Sequence, residues 1–178
     1  MLRKMEIDLS DRVIFLQPLT QEDAAGHLAG EDEEIAKWLS GGRSTLLTVR
    51  DYISRCDQDW CAGGAVRAFG IFDCETRTLI GSIEANLAFF PEPNRANVSF
   101  SVFPTWRGQG IALRALHLML FYLKTHTPTR EAVLRIPLKN FTSLRVAEKS
   151  GFALIGIFDE DEGRMANFTM QLRLVEQP

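Results

Sequence analysis

The chain has 178 residues, of which 46% are apolar and 24% charged, with a formal net charge of −3. That length fits one domain, residues 1–178, able to bury a core without disulfides or metals. The slight acidity argues against a general nucleic-acid or membrane-surface binder. Cys56, Cys61 and Cys74 are odd in number and lack zinc or redox spacing, so they read as reduced thiols of a cytoplasmic protein. Met1 to Asp8 contains no signal-peptide core. No apolar run approaches the roughly 18 residues that span a membrane.

In chain order, Arg12 to Leu16 reads as a strand closed by Pro18. Thr20 followed three residues later by Asp23 approximates a capping box and opens a helix. Glu31 to Leu39 reads as a second short helix, acidic at its N-terminal end and broken by Gly41-Gly42. Thr48 to Trp60 is a third, with Val49, Tyr52, Ile53 and Cys56 on one face. After Gly63-Gly64 the pattern turns to β. Ala65 to Phe72 and Leu79 to Phe89 form a hairpin, and Ala96 to Phe103 is the next strand. That strand alternates Val98, Phe100 and Val102 with Ser99 and Ser101, giving one bulky face and one small polar face. Gly110 to Lys124 is the longest helix and is apolar nearly all round, with Arg114, His117 and Lys124 as its solvent stripe. Glu131 to Ile136 is a buried strand, and Asn140 to Lys149 a helix stopped by Gly151. Phe152 to Phe158 and Ala166 to Leu174 close the chain as an antiparallel pair. The expected class is a mixed α/β (α+β) sheet with its core over about residues 12–174.

The most informative segment is Val102 to Ala112. A strand ends at Pro104, and Arg107-Gly108-Gln109-Gly110 leads directly into the long helix. Glycines let a backbone approach a ligand, and unpaired first-turn amides with the helix dipole favour a phosphate. A P-loop is excluded, because no pair of glycines five apart precedes Lys-Ser/Thr. A dinucleotide fingerprint fails because Leu113 stands where its third glycine belongs. A plain strand–helix turn remains open on these residues alone.

With Asn140-x-x-Ser143 some thirty residues downstream, this segment resembles the GCN5-related N-acetyltransferase superfamily. Arg107, Gly110 and Ala112 fit its Gln/Arg-x-x-Gly-x-Gly/Ala pyrophosphate motif. Asn140 to Phe152 is similar to its Asn-x-x-Ser…Glu-Lys-x-Gly-Phe segment. Leu16-Gln-Pro-Leu-Thr resembles the opening of the branch that contains the ribosomal-protein N-terminal acetyltransferases. The resemblance implies a mostly antiparallel central sheet of about seven strands, flanked by helices and splayed at an acyl-CoA site. It implies acetyl-CoA or a related acyl-CoA as cosubstrate and an amine as acceptor. The pyrophosphate would lie on the amides of Arg107, Gly108, Gln109, Gly110, Ile111 and Ala112. The pantetheine arm would pair with Phe100, Ser101 and Val102 as an added strand does. Asn140 would bond the arm, and Ser143 would lie near it. Asn140 could equally cap its own helix.

Direct acetyl transfer needs a neutral amine, an oxyanion donor and an acid for the thiolate. Glu84, mid-strand in Ser82-Ile-Glu-Ala-Asn86, is the candidate base on a strand expected to border the crevice. A half-buried Glu can have a raised pKa. The competing reading is a salt-bridged or edge-facing Glu. Asn86, Asn97 and Ser99 could hold a relaying water, and Ser143 is the candidate acid. The chain departs from its branch at Ser99-Phe100-Ser101, where relatives carry an aromatic wall, and at Arg114, where many have Glu. It also lacks a tyrosine near the C-terminal helix, since Tyr52 and Tyr122 are the only two.

Other constellations carry less. His27, His117 and His126 have no metal spacing, no Gly-x-Ser-x-Gly elbow exists, and Cys61 has nothing nearby to lower its pKa. Glu31-Asp-Glu-Glu34 reads as a helix N-terminus that could also attract a cationic acceptor. Trp38, Trp60 and Trp106 read as core or rim packing. The expected activity is N-acetylation of a protein N-terminus or small-molecule amine. A non-catalytic acyl-CoA sensor is the alternative. Apolar strands such as Leu154 to Phe158 could support a homodimer.

Overall fold

Period-2 alternation along the chain resolves into seven strands of one sheet, ordered β1-β2-β3-β4-β5-β7-β6. The computed structural model describes residues 9–160 and 163–172. β1 (Ile14–Gln17), β2 (Val66–Asp73), β3 (Leu79–Asn86) and β4 (Arg95–Val102) form an antiparallel meander. β5 (Glu131–Pro137) lies parallel to β4. β7 (Gly163–Gln171) runs antiparallel between β5 and the edge strand β6 (Ala153–Glu160). The mixed, mostly antiparallel sheet is the one expected. Strand ends shift by a few residues: β3 stops at Asn86, where the Asn86 side chain accepts from the Ala88 amide and starts the turn. Leu174, expected to end the last strand, lies outside the described residues.

Helices cover both faces. α4 (Ile111–His126) packs on β1, β3 and β4, and α5 (Phe141–Lys149) on β5 and β6. Leu116, Met119 and Leu123 of α4 are fully buried among Ile83, Ala85, Val98 and Leu134. Each such side chain contributes roughly 1.5–3 kcal/mol of burial. On the opposite face, α1 (Ala24–Gly30) and α3 (Leu46–Ala62) close a smaller cluster of Leu19, Ala24, Val49 and Ile53. Thr20 and Asp23 form the expected pairing, with the Asp23 carboxylate accepting from the Thr20 amide at 2.7 Å and its hydroxyl at 2.8 Å. No helix among the described residues is long and apolar enough to cross a membrane.

The second helix differs from expectation. It begins at Glu33 because Glu31 is occupied elsewhere, accepting from the Ser44 amide at 2.7 Å and from the hydroxyls of Ser44 and Ser40. Asp32 caps it, its Oδ1 accepting from the Ile35 amide at 3.0 Å. This helix, α2 (Glu33–Ile35), widens into a π-helical turn at Ala36–Ser40 and ends on Gly41 at φ 67°.

β6 leaves Leu154, Ile155, Ile157 and Phe158 about half exposed, an uncommon density of apolar surface on an edge strand. β3 and β4 approach so closely that a Cβ at Gly81 would sit 2.3 Å from the Ser101 carbonyl oxygen. Gly81→Ala is therefore expected to lower stability by roughly 1–3 kcal/mol. A urea melt with a lower midpoint and an unchanged slope would carry that result.

Candidate functional site

The site begins where two strands part. β4 and β5 pair only at Arg95–Asn97 against Glu131–Val133. Beyond that point β4 stays paired with β3 to Val102, while β5 stays paired with β7 to Pro137. A cavity of about 560 Å³ opens between them, lined by Asn97 to Val102 on one side and Leu134 to Pro137 on the other. The facing backbone groups of β4 are left without a strand partner, so an extended ligand arm can complete the ladder.

At one end the cavity meets the strand–helix turn. Gly108 and Gly110 hold φ of 76° and 78°, values that favour glycine. A Cβ at either would meet nothing within 4 Å, so the turn is open to a ligand. Gly110 caps α4, whose first-turn amides face this opening without intrahelical partners. Arg145 and Lys149 of α5 line the same cavity and add positive charge. Amides, dipole and cations together suit a polyanion.

Asn140 does cap α5, its Oδ1 accepting from the Ser143 amide at 3.1 Å. Both residues also line the cavity, and the cap leaves the Asn140 amide nitrogen unengaged. Glu34, Ile35, Trp38 and Leu39 from α2 and its π-helical extension form a further wall of the cavity. Among the described residues no cluster of His, Cys, Asp and Glu is placed to hold a metal ion.

The structure gathers most of the anticipated residues. Phe100, Ser101, Val102, Arg107, Gly108, Gly110, Ile111, Ala112, Asn140 and Ser143 all line this one cavity. Gln109 is not among the lining residues, and its side-chain amide donates to the Thr105 carbonyl at 3.0 Å. The Arg107 side chain also has another role than phosphate contact. Its guanidinium forks onto Asp32 at 2.7 and 2.9 Å, and its Nε donates to the Val102 carbonyl at 3.0 Å.

The strand that carries Glu84 does not border the gap. Glu84 lies on β3, one strand back from the crevice, and does not line it. Its cross-strand neighbour is Ser99, which does. Glu84 is half-buried and is neither salt-bridged nor free, because Tyr52 of α3 donates to its Oε2 at 2.9 Å. Burial first, and the Glu84 charge second, push the Tyr52 phenol far above its ordinary pKa, so it stays a donor. From the sequence, Tyr52 stands on the apolar face of its helix and is one of the chain's two tyrosines. No local spacing links it to Glu84, 32 residues away. Tyr122 is buried in an aromatic cluster with Trp60 and Phe69. Trp60 is core, whereas Trp38 and Trp106 line the cavity. Burial pushes the Cys56 thiol up to about 11, which removes it as a nucleophile.

The model of the acetyltransferase (GNAT) domain family matches residues 13–153. The chain belongs to this family. Solved structures of GNAT acetyltransferases share the fold. The RimL ribosomal L7/L12 α-N-protein acetyltransferase in complex with coenzyme A superposes with a TM-score of 0.80 at 16% identity, covering 93% of this chain and 97% of that one. A GNAT acetyltransferase from Bacillus anthracis gives 0.79 at 16% identity, covering 93% and 98%. The aminoglycoside acetyltransferase AAC(6')-Ib in complex with coenzyme A gives 0.75 at 17% identity, covering 89% and 94%. No curated protein matches by sequence. At these identities the likeness establishes the GNAT fold, and membership rests on the family model.

The open glycine turn, with its unpaired first-turn amides, suits an anion the size of a pyrophosphate. Gly110→Asp places a carboxylate in the open turn, at a cost to folding of only about 1–2 kcal/mol for the left-handed backbone. It is expected to abolish coenzyme A binding by titration calorimetry while circular dichroism stays that of the wild type.

Proposed function

We propose that this GNAT domain transfers an acetyl group from acetyl-CoA directly to a primary amine of a protein N-terminus or a small molecule. The observation that carries this reading is the gap between β4 and β5, lined by both the glycine turn and the α2 wall. A gap with two such walls can hold two substrates that meet where the strands part. The pyrophosphate lies on the amides from Gly108 to Ala112. The pantetheine arm runs along Phe100 to Val102, within reach of Asn140.

The amine arrives on the small polar face of β4, beneath Trp38 and Leu39. It must lose a proton before it attacks the thioester carbon. Glu84 takes that proton through Ser99, its neighbour across the strand pair, and Tyr52 holds the carboxylate in place. An N–C bond forms, the C–S bond breaks, and the departing sulfur takes a proton supplied at Ser143. Backbone amides of the parted strand stabilise the tetrahedral oxyanion. The chain acts in the cytoplasm and pairs as a homodimer through the apolar edge of β6.

Acetyl-CoA turnover with spermidine, kanamycin and a serine-initiated peptide tests the activity. Binding of coenzyme A with no turnover on any amine would instead favour an acyl-CoA sensor. Glu84→Gln is expected to lower kcat by about a hundredfold with little change in coenzyme A affinity. Wild-type rates across the pH profile in that variant would remove Glu84 as the base. For the edge strand, Ile157→Lys is expected to convert a dimer to a monomer in light scattering after size exclusion.

A further inference from the structure

Arg107 belongs to the glycine turn by sequence, yet its side chain faces the other half of the cavity. It makes a bidentate pair with Asp32 at 2.7 and 2.9 Å, and its third donor holds the Val102 carbonyl at 3.0 Å. A further contact to Glu34 is longer, at 3.5 Å. Val102 ends β4, the strand expected to carry the pantetheine arm. Asp32 caps α2, whose continuation bears Trp38 and Leu39 on the acceptor wall. One guanidinium thus joins the strand end, the glycine turn and the wall.

This pair is unlike an ordinary surface ion pair. Its side chains are 30% and 29% exposed, and both carboxylate oxygens are engaged in fork geometry. The Arg107 guanidinium holds the Asp32 carboxyl below its usual range. The wall is also held by an exposed Arg43–Glu33 pair and by Glu31, which accepts from Ser40 and Ser44. Ile35 and Ala36 are its buried residues, and Gly41-Gly42 follows it with no neighbour that a Cβ would touch within 4 Å. A π-helical turn sits in its middle, a form common at functional sites.

We infer that Arg107 and Asp32 form a latch that fixes the acceptor wall against the donor turn, making both of them positioning residues for the amine. The inference rests on the assignment of the cavity to acyl-CoA and an amine. Neither residue touches the reacting atoms. Losing the latch lets the wall move, so the amine is bound less well while the donor turn and β4 keep their shape.

Asp32→Asn isolates the latch, because asparagine caps a helix as well as aspartate and removes only the charged fork. Three measurements on the full chain test it. Amide hydrogen exchange over residues 33–40 of the unliganded variant should accelerate about tenfold, the loss expected for one charge-assisted pair. The KM for the best acceptor among spermidine, kanamycin and a serine-initiated peptide should rise about tenfold at nearly constant kcat. The Kd for coenzyme A should stay within about twofold. Unchanged exchange over 33–40 overturns the latch. So does a coenzyme A affinity that weakens in step with the acceptor KM, which marks general damage. Arg107→Lys, which keeps the charge and loses the fork, should give the same exchange result if Asp32→Asn folds poorly. A wild type that binds coenzyme A but turns over no amine would refute the proposed activity, and the exchange measurement would still decide the latch.

Discussion

The interaction on which the rest depends is one that the sheet declines to make. Strands β4 and β5 share three residue pairs and then separate. Each is held on its outer side, β4 by β3 and β5 by β7, so neither can drift to close the gap. Separation costs hydrogen bonds that a continuous sheet would have made, and buried backbone groups rarely go unpaired. The fold tolerates this because the gap is wide enough to admit a ligand or solvent to those groups. A site is thereby specified by topology before any side chain is considered.

The donor half is bonded to the core. The glycine turn opens α4, and α4 is buried along most of its length against β1, β3 and β4. Its first-turn amides cannot reorient without disturbing that packing, so they are preorganised for an anion. Arg114 reinforces the same helix from outside through a 2.6 Å pair with Asp11. The acceptor half is built differently, from α2, its π-helical turn and the small polar face of β4. Arg107 ties α2 to the glycine turn through Asp32 and Glu34.

Much of this was legible in the chain. The order of elements, the polar and bulky faces of β4 and the placement of Gly108 and Gly110 follow from period, breakers and turn chemistry, which are local. The Asn140 cap was legible for the same reason. What escaped reading depends on contacts between distant segments. Gln109 lies inside the motif but turns back onto Thr105. Glu84 carries the right chemistry on a polar strand face, yet which strand borders the gap is fixed by sheet order. Tyr52 reaches Glu84 only because α3 crosses that face. The end of α2 moved because Glu31 found Ser44, a partner no helical pattern contains.

The uneven attachment of the two halves bears on how such a chain can change over generations. Substitutions in β4 or α4 act on buried packing and are punished through stability. Substitutions between Glu33 and Gly42 fall largely on solvent-facing positions of a short segment tied down at few points. On the proposed assignment, new acceptors are accessible by drift in about ten residues, with the donor chemistry inherited unaltered. The fold separates what must be kept from what can be tried.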